Sequence, residues 1–408
     1  MQILFLNPAG VIGGAERALL DLIASLRQAR SAWRLAVIAA ADGDLVRAAS
    51  ALGAQTSVVA FPRSLAVLGD AGTGEWADSQ ARTVGLAGRL AAAAPAIAIY
   101  RRRLADAIAA IAPDVIRTNG FKMHLLGVWT ASRQTPVLWH MYDLVRTRPL
   151  MGPLLRAHAR RCAAVVAVSH SVAEDVRAAL GSKPPIFTVY NAIDLARFAP
   201  AGPLLDLDRL AGMPPLGEGG VRVGMVATMA RWKGHETFLR ALAALPPATP
   251  VRGYVIGGPL YETADSQSTI AELRAVATRL GLDGRVGFTG FVVDVAPAMR
   301  TLDIVVHAST QPEPFGLVIA EAMACGRAVI ASAAGGAAEI IEDGIDALAH
   351  RPGDAPALAR LIAQLAGDRA MRQRLGQAAA QASVRRFTQA RLAADLLPIY
   401  RSLTPLAV

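Results

Sequence analysis

The chain has 408 residues, of which 53 % are apolar, so its length and composition fit two domains that each bury a sizeable core. Its two cysteines, Cys162 and Cys325, exclude a disulfide framework and offer no metal-ligand spacing, which suits the reducing cytoplasm. No apolar run reaches the ~20 residues of a membrane-spanning helix, and a strand is predicted from residue 2, so we expect neither a transmembrane segment nor a signal peptide.

The basic excess of the chain lies in its first half. The formal charge is +10: residues 1–200 hold 22 Lys and Arg against 13 Asp and Glu, whereas residues 201–408 hold 20 against 19. This asymmetry suggests an anionic partner, although arginine used as a default surface residue explains it equally well. A nucleic acid is disfavoured, because aromatic residues make up only 5 % of the chain and are not interleaved with the basic runs.

Short apolar runs alternate with helical patterns in the first half. Strands are predicted at 2–7, 35–40, 57–61, 114–119, 136–143, 163–169 and 186–193. Helices are predicted at 15–30, 44–52 and 87–112, and after the sixth strand, where Ser171 is the expected N-cap. Strands that alternate with helices indicate a parallel sheet covered on both faces.

The composition shifts to Pro, Gly and Leu over residues 198–220, which we interpret as a linker with one short helix. Strands are then predicted at 221–227, 251–258, 286–290, 303–309, 328–332 and 346–350. Helices are predicted at 236–245, at 269–280, from 315, from 337, and over 356–403 with a break near 388. We therefore expect an α/β protein of two doubly wound domains, with ligands at the carboxyl ends of strands that face a cleft.

A glycine-rich turn follows the first predicted strand. The segment NPAGVIGGAER, residues 7–17, contains Gly10, Gly13 and Gly14 and opens a helix whose N-terminus offers N–H donors. It is not a G-x-G-x-x-G motif, and no acidic residue ends the second strand, so a dinucleotide site is disfavoured. A ligand-binding loop and an ordinary flexible turn both remain open.

Two further strand ends carry polar residues. His140 and Asp143 follow one strand, where a structural and a functional histidine are equally compatible with the pattern. Arg231 and Lys233, in TMARWKG, follow another strand and precede a helix, which is suited to a diphosphate but also typical of a solvated turn. Gly257 ends a third strand and allows a flat group such as a base to approach, or simply forms a tight turn.

Residues 307–332, HASTQPEPFGLVIAEAMACGRAVIAS, are interpreted as a strand end, a loop, a helix and a strand. Glu313 lies in the loop, the helix begins near Phe315, and Glu321 follows Glu313 by eight residues. Gly316 stands where a helix N-terminus presents unsatisfied N–H groups, which bind anions. The two carboxylates could bind hydroxyls while the backbone binds a phosphate. The alternative is an ordinary αβ unit with one solvated glutamate.

Two basic stretches contain interleaved apolar residues. They are RTRPLMGPLLRAHARR at 146–161 and the run Arg101–Arg103 behind apolar residues 96–100. Such stretches lie on an anionic membrane surface or pack as ordinary helices on their own domain. An anionic membrane surface is therefore one candidate partner.

Taken together, these motifs resemble the retaining glycosyltransferases of family 4, which have the GT-B fold of two facing Rossmann-like domains. The resemblance spans nearly the whole chain, and its most specific part is the E-x7-E signature inside EPFGLVIAEAMACGRAVIAS at 313–332, followed by Gly335, Gly336 and Glu339. The other matching segments are GGAE (13–16), WHMYD (139–143), AVS (167–169), VYNAID (189–194), WKG (232–234), VIGGP (255–259) and FTGFVVDV (288–295).

The resemblance implies the roles of individual residues. Glu313 would bind donor-sugar hydroxyls, Lys233 would neutralise the diphosphate, Glu321 would bind the ribose, and His140 would contact the sugar from the other domain. The family usually has an arginine at the position of Thr228, and Arg231 is expected to replace it. The predicted catalytic set is Glu313, His140, Lys233 and Arg231. The predicted donor-binding set is Gly13, Gly14, Thr228, Gly257, Phe315, Gly316, Leu317 and Glu321. In this set Gly13 and Gly14 would lie over the phosphates and the acceptor, and the backbone at 315–317 would bind the distal phosphate.

Charge stabilisation is expected without a metal. A departing diphosphate is stabilised by a metal or by fixed cations and helix N-termini. The D-x-D segments at 42–44 and 206–208 do not lie at strand ends facing the expected cleft. We therefore predict no metal and no cofactor, with a nucleotide-diphosphate sugar as the donor substrate.

The sequence thus predicts a metal-independent retaining hexosyltransferase that acts on a glycan or lipid-linked glycan in cell-envelope or polysaccharide synthesis. The resemblance implies an acceptor-side domain at 1–198, a linker at 199–220, a nucleotide-sugar domain at 221–385, and a C-terminal helix at 386–408 that crosses back. We expect a cytoplasmic protein that can be peripheral at the inner membrane face. The alternatives are a catalytically silent binding module of the same fold and a GT-B sugar-nucleotide epimerase.

Overall fold

The chain forms two compact units. The computed structural model describes residues 1–66, 79–148, 151–258 and 267–404, with the backbone alone over 79–93. The first unit comprises residues 1–192 together with the C-terminal segment from Gln389, and the second comprises Ile193–Thr388. Each unit has its own parallel sheet and its own hydrophobic core.

The first unit contains a seven-stranded parallel sheet in the order β3-β2-β1-β4-β5-β6-β7. Its strands are β1 (Gln2–Asn7), β2 (Arg34–Ala39), β3 (Gln55–Val58), β4 (Val115–Asn119), β5 (Val137–Met141), β6 (Cys162–Ala167) and β7 (Ile186–Thr188). Its first seven helices are α1 (Gly14–Ala29), α2 (Asp44–Ala51), α3 (Arg63–Ala66), α4 (Ser79–Ile111), α5 (Phe121–Thr130), α6 (Met151–His158) and α7 (His170–Leu180).

The second unit contains a six-stranded parallel sheet in the order β10-β9-β8-β11-β12-β13. Its strands are β8 (Val221–Val226), β9 (Val251–Ile256), β10 (Val286–Gly290), β11 (Ile304–His307), β12 (Ala328–Ser332) and β13 (Leu348–His350). Its helices are α8 (Leu207–Leu210), α9 (His235–Ala243), α10 (Ile270–Arg279), α11 (Val295–Thr301), α12 (Leu317–Ala324), α13 (Gly336–Glu339), α14 (Ala355–Gly367) and α15 (Arg369–Arg386).

The last helix, α16 (Gln389–Leu403), packs in the first unit. It places Leu396, Ile399 and Tyr400 in the cluster that also contains Ile3 and Phe5 of β1. Burial of these apolar side chains, at about 25 cal/mol per Å² of apolar surface removed from water, is what binds this helix to the sheet. The first unit is therefore completed by a segment that is distant in sequence.

The prediction of two Rossmann-like parallel sheets is confirmed. Both strand orders correspond to the 3-2-1-4-5-6 pattern, with one additional edge strand in the first unit. Helices α5 and α11 were not predicted. The N-cap assigned to Ser171 was wrong: Ser169 caps α7, because its hydroxyl accepts a hydrogen bond from the Val172 N–H at 3.1 Å.

The segment expected to be a linker lies within the second unit. The Arg300 side chain of α11 donates hydrogen bonds to the carbonyl oxygens of Arg197 at 3.0 Å and Pro203 at 2.8 Å. Asp208 of α8 accepts from the Arg222 and Arg252 side chains at 2.8 and 2.7 Å. These bonds fix residues 197–208 against the second sheet. Among the described residues, no helix is both long enough and apolar enough to cross a bilayer.

Candidate active site

In each sheet the strand order reverses at one point. In α/β proteins, ligands bind next to such a point, at the carboxyl ends of the strands. The reversal lies between β1 and β4 in the first sheet and between β8 and β11 in the second. The predicted site residues follow strands at or next to these two points.

In the second unit, the turn after β8 brings Lys233 to Glu313. A 3₁₀ turn at Arg231–Lys233 leads to Gly234, which has a φ of +82° and precedes α9. A Cβ at Gly234 would lie 1.9 Å from the Ala308 carbonyl oxygen, so only glycine allows this approach to the end of β11. As a result, Lys233 Nζ lies 2.6 Å from Glu313 Oε1.

Glu313 is almost fully buried, with 7 % of its surface exposed, and both carboxylate oxygens have partners. Oε1 accepts from Lys233, while Oε2 accepts from Ser309 Oγ at 2.8 Å and lies 3.3 Å from His307 Nε2. Burial alone would raise the pKa of Glu313, but the Lys233 charge and the His307 contact lower it well below its ordinary value. The carboxylate is therefore ionised and its orientation is fixed.

The Glu313 backbone is fixed by two glycines that follow β12. The Glu313 carbonyl accepts from the Gly336 N–H at 2.7 Å, and its own N–H donates to the Ala334 carbonyl at 3.1 Å. A Cβ at Gly335 would lie 2.5 Å from the Glu313 carbonyl oxygen, and one at Gly336 would lie 2.1 Å from that of Pro314. Both glycines are thus explained by close contact with the Glu313 loop.

The residues that support Glu313 were not predicted as site residues. Ser332 Oγ donates to the Ser309 carbonyl at 2.6 Å, and His350 Nε2 lies 3.3 Å from the His307 carbonyl oxygen. The available signal was the occurrence of His307 and Ser309 at the end of an apolar strand. Their distance from Glu313 follows only from the return of the loop to β11.

Helix α12 begins at the predicted anion-binding position. Gly316 precedes it with a φ of +96°, and Phe315 is buried with its ring edge-on to Phe387. Of the eight residues of α12, the three that retain partial exposure are Leu317, Val318 and Glu321. Because residues four apart share one face of a helix, Glu321 lies on the same accessible face as Leu317 at the helix N-terminus.

The other predicted site residues of the second unit that follow strand ends are Arg231, Thr228 and Gly257. Arg231 is half exposed and its guanidinium lies 3.7 Å from Glu272, so the structure does not bring it to Glu313. Thr228 lies in the turn after β8 and is partly buried. Gly257 has a φ of +141°, and a Cβ there would lie 1.9 Å from the Ala227 carbonyl oxygen. This glycine is required by the backbone of the neighbouring strand end, whether or not a ligand also binds there.

In the first unit, the glycine turn is fixed by a buried polar network. Asn119 Nδ2 donates to Asn7 Oδ1 at 3.2 Å, which connects the ends of β4 and β1. Asn7 Nδ2 donates to Glu16 Oε1 at 3.1 Å, and the Gly13 N–H donates to Glu16 Oε2 at 3.1 Å. Gly13 precedes α1 and is buried, while Gly14 is exposed. The pKa of Glu16 is raised, mainly by its burial.

His140 lies at the end of β5 and is 3 % exposed. Its Nδ1 receives a hydrogen bond from the guanidinium of Arg117, which also donates to the Tyr400 hydroxyl at 2.7 Å. Burial first, and then the nearby Arg117 charge, lower the pKa of His140 well below its ordinary value. His140 is therefore neutral. Asp143, in contrast, is exposed.

The carboxylates of the D-x-D segment at 206–208 are engaged in hydrogen bonds within the protein. Asp208 accepts hydrogen bonds from Arg222, Arg252 and Tyr254, and Asp206 caps α8. Burial would raise the pKa of Asp208, but these donors lower it below its ordinary range. Within the part of the chain that the structure describes, no group of three His, Cys, Asp or Glu side chains is arranged to bind a metal ion.

Sequence profiles of two protein families match the chain. The family described as Glycosyltransferase Family 4 matches residues 12–197, and the family described as Glycosyl transferases group 1 matches residues 214–382. The lipopolysaccharide core biosynthesis mannosyltransferase LpcC of Rhizobium leguminosarum bv. viciae is 32 % identical over 244 residues, or 60 % of this chain and 66 % of that protein. A D-inositol 3-phosphate glycosyltransferase of Salinispora tropica is 33 % identical over 227 residues, or 52 % and 45 %. The matches thus cover about half to two thirds of these relatives.

Solved structures match over nearly the whole chain. The crystal structure of Anabaena Alr3699/HepE in complex with UDP is 27 % identical with a TM-score of 0.77, and covers 98 % of this chain and 100 % of that one. The complex of the same protein with UDP-glucose is 26 % identical with a TM-score of 0.78, at 98 % and 100 % coverage. The two parallel sheets, the two family matches and these neighbours agree: the chain belongs to glycosyltransferase family 4 and has the GT-B fold.

Proposed function

We propose that the chain is a retaining, metal-independent hexosyltransferase that moves a sugar from a nucleotide-diphosphate sugar to a glycan or lipid-linked glycan. The observation that carries this proposal is the partly buried Lys233–Glu313 pair beside the N-terminus of α12. A UDP-sugar is the first donor to test, because Alr3699/HepE binds UDP and UDP-glucose. Lipopolysaccharide core biosynthesis, named for LpcC, supports an acceptor from cell-envelope synthesis.

The Lys233 ammonium and the start of α12 supply positive charge for a leaving diphosphate. An ammonium has three N–H donors, and Glu313 accepts from one of them. Lys233 is 18 % exposed, so its remaining donors can reach a phosphate. The first N–H groups of a helix lack intrahelical acceptors and favour an anion. Such preorganised donors stabilise the charge that develops on the departing phosphate.

Glu313 and Glu321 are the carboxylates that we propose bind the sugar and the ribose. A carboxylate accepts hydrogen bonds from hydroxyls, and Glu313 is oriented by Ser309 and His307 before any ligand binds. Glu321 lies one helical turn along the accessible face of α12 from the proposed phosphate position. In the first unit, His140 is the proposed contact to the donor sugar, and Gly13 and Gly14 are the proposed contacts to phosphates and acceptor.

The decisive test is a transfer assay with Glu313→Gln. UDP-, GDP- and ADP-sugars are first screened by thermal shift, since a ligand at 100 times its Kd stabilises the folded state by about 2.7 kcal/mol. With the donor so identified, E313Q is expected to lower kcat/KM by ~10²-fold or more, because the sugar loses an oriented acceptor. The matched control, Glu218→Gln, alters an exposed glutamate and is expected to leave kcat/KM unchanged.

Three readouts of this assay decide the proposal. Transfer is expected to persist in EDTA, and the product is expected to keep the anomeric configuration of the donor. A protein that binds a nucleotide sugar but neither transfers nor epimerises it would instead be a silent module. Undiminished transfer by folded E313Q would refute the role assigned to Glu313.

We also propose that the first unit contacts an anionic membrane surface. The two basic stretches meet at Trp129 of α5: Arg101 lies 5.6 Å from the centre of its ring, and His158 of α6 lies edge-on to it at 5.4 Å. Ile99 is 58 % exposed beside them, and Leu154 is exposed on α6. Residues 149–150 of the second stretch lie outside the described residues. Exposed arginines with interleaved apolar side chains suit an anionic interface.

Vesicle co-sedimentation tests the membrane proposal. The double variant Arg101→Glu with Arg160→Glu is expected to weaken binding to anionic vesicles by roughly tenfold or more, since each basic residue near such a surface contributes about 1 kcal/mol. The control, Arg209→Glu with Arg279→Glu, makes the same charge change at exposed positions of the second unit. Equal losses for both variants, or no pelleting of the wild type at low salt, would refute a specific surface.

A further inference from the structure

Arg117 is a fully buried charge in the middle of strand β4. It lies on β4, is 0 % exposed, and shares its side of the sheet with Val115 and Asn119 because residues two apart in a strand face the same way. A buried guanidinium is costly unless its N–H groups are hydrogen-bonded. Its bonding partners therefore indicate what it does.

The partners of Arg117 are neutral groups from two other elements. One terminal nitrogen donates to the Tyr400 hydroxyl of α16 at 2.7 Å, and the other contacts Nδ1 of His140 on β5. In the sheet, Asn119 of β4 is paired with His140 and Arg117 with Leu138, so Arg117 is diagonal to His140 on the same face. This register places the guanidinium against the Nδ1 edge of the imidazole.

A guanidinium has N–H donors and no acceptor, which determines the state of the histidine. Nδ1 must accept the hydrogen bond and cannot carry a proton while the bond exists. In a neutral imidazole the proton then lies on Nε2. Among the described residues, no hydrogen bond uses His140 Nε2, so its N–H is available to a ligand.

We propose that Arg117 is a positioning residue that fixes His140 as the neutral Nε2–H tautomer, so that His140 donates a hydrogen bond to an oxygen of the donor sugar. The proposal rests on the transfer activity proposed above and on the role of His140 in it. Arg117 itself is enclosed and does not touch substrate. It acts on the reaction through the orientation and protonation of the imidazole.

The other charged and titratable groups around His140 are few. Arg117 and His124 act on it directly, and the Tyr142 ring lies 4.0 Å from its ring. His124 is itself kept neutral, because burial lowers its pKa to about 3. Burial raises the pKa of Tyr142, and the charge of Arg117 acts on it more strongly than Tyr400 and Glu16 do. Arg117 is thus the fixed cation of this group, and it opposes a second proton on His140.

A purely structural role for Arg117 makes a different prediction. In that case Arg117 would serve to attach α16 through Tyr400, and His140 would be incidental. The variant Tyr400→Phe removes this attachment and leaves the contact with His140. Arg117→Met removes both bonds, whereas Arg117→Lys retains a cation that can only donate.

The first measurement is imidazole ¹⁵N NMR of the histidine-labelled full chain, with His140→Gln used to assign the signal. The wild type and Y400F are expected to show His140 with unprotonated Nδ1 and protonated Nε2. R117M is expected to lose this fixed state, with mixed tautomers and protonation at higher pH, and R117K to retain it. A protonated Nδ1 in the wild type would overturn the proposal even if R117M did not fold, and so would an unchanged His140 in R117M.

The second measurement is kcat/KM against pH with the donor identified above. R117M is expected to lose ~10- to 100-fold in kcat/KM, the scale seen when the hydrogen-bond partner of a metal-bound histidine is removed. Because removal of the cation raises the pKa of His140, and a protonated imidazole always carries a proton on Nε2, the loss should shrink towards acid pH, while R117K recovers activity and Y400F stays within twofold. Retained turnover in R117M despite a changed tautomer would overturn the positioning role. If the wild type transfers no sugar, the proposed function fails, and the NMR measurement still decides whether Arg117 fixes the tautomer.

Discussion

Glu313 and His140 are buried side chains whose protonation is set by a neighbouring cation in opposite directions. Lys233 favours the ionised carboxylate, because the charge of the lysine stabilises the charged form. Burial first, and then the positive charge of Arg117, favour the neutral imidazole of His140. Both groups would therefore keep one protonation state throughout the neutral pH range, with the carboxylate as an acceptor and the imidazole as a donor.

The depressed pKa of Glu313 predicts how stability depends on pH. The native state favours the ionised carboxylate, so its contribution is present above the ordinary value of 4.5 and is lost as pH falls below it. At pH 7 Glu313→Gln is expected to lower the free energy of unfolding by about 2 kcal/mol, since Lys233 loses a charged partner. Urea unfolding of the wild type and E313Q between pH 7 and pH 3 measures the difference.

The difference between the two proteins should be constant from pH 7 to about pH 5.5 and should shrink towards pH 3. Glu218→Gln, at an exposed position, is expected to show no such difference. A gap between the wild type and E313Q that stayed constant down to pH 3 would mean that the Glu313 pKa is not depressed by folding.

The turn between β8 and α9 positions Lys233 beside Glu313. The geometry of this turn depends on one glycine, Gly234. Gly234→Ala combines a left-handed φ of +82° with a Cβ 1.9 Å from the Ala308 carbonyl oxygen. Gly344→Ala is a matched control, because Gly344 has a φ of +76° but no atom within 4 Å of the added Cβ. The strain of a left-handed backbone alone is expected to lower the free energy of unfolding by about 1–2 kcal/mol in both variants.

G234A is therefore expected to be more destabilised than G344A by thermal denaturation, and also to lose binding of the nucleotide. Its Cβ must displace either the turn that carries Lys233 or the end of β11, both of which adjoin Glu313. G344A is expected to bind the nucleotide normally. Equal stability and equal binding in the two variants would show that the close approach of Gly234 to Ala308 does not position the lysine.

Each unit has its own hydrophobic core, and point substitutions can distinguish the two cores. Leu396 of α16 belongs to the core of the first unit and Leu365 of α14 to that of the second, and both are 0 % exposed. Each leucine-to-alanine substitution is expected to cost about 2–5 kcal/mol, because it leaves a cavity. Hydrogen exchange followed by mass spectrometry should show faster exchange in β1 and β2 for L396A, and in β8 and β11 for L365A.

This pair of variants tests whether the C-terminal helix belongs to the first unit. The substitutions remove the same atoms from the same kind of environment, so they differ only in the core that they affect. Faster exchange of the second sheet in L396A, with the first sheet unchanged, would contradict the assignment of α16 to the first unit.

The parallel sheets and the segment around Glu313 could be predicted because the patterns that indicate them involve residues close together in sequence. Buried strands appear as continuous apolar runs, and Glu313, Gly316 and Glu321 lie within nine residues of one another. Even the break before α16 near Thr388 was visible. The N-cap of α7 was wrongly assigned to Ser171 instead of Ser169, because both are serines that precede an apolar pattern, and only the backbone geometry selects one.

What the sequence determined by itself was the fold class, the family resemblance, and the identity of the polar residues at the strand ends. What only the tertiary structure decided was which of these residues meet. Lys233 reaches Glu313 across 80 positions, and Arg117 reaches His140 across 23 and Tyr400 across 283. Arg231, two residues before Lys233 in the same 3₁₀ turn, lies instead against Glu272. Such contacts depend on strand order and on the packing of distant elements, which the local apolar pattern does not encode.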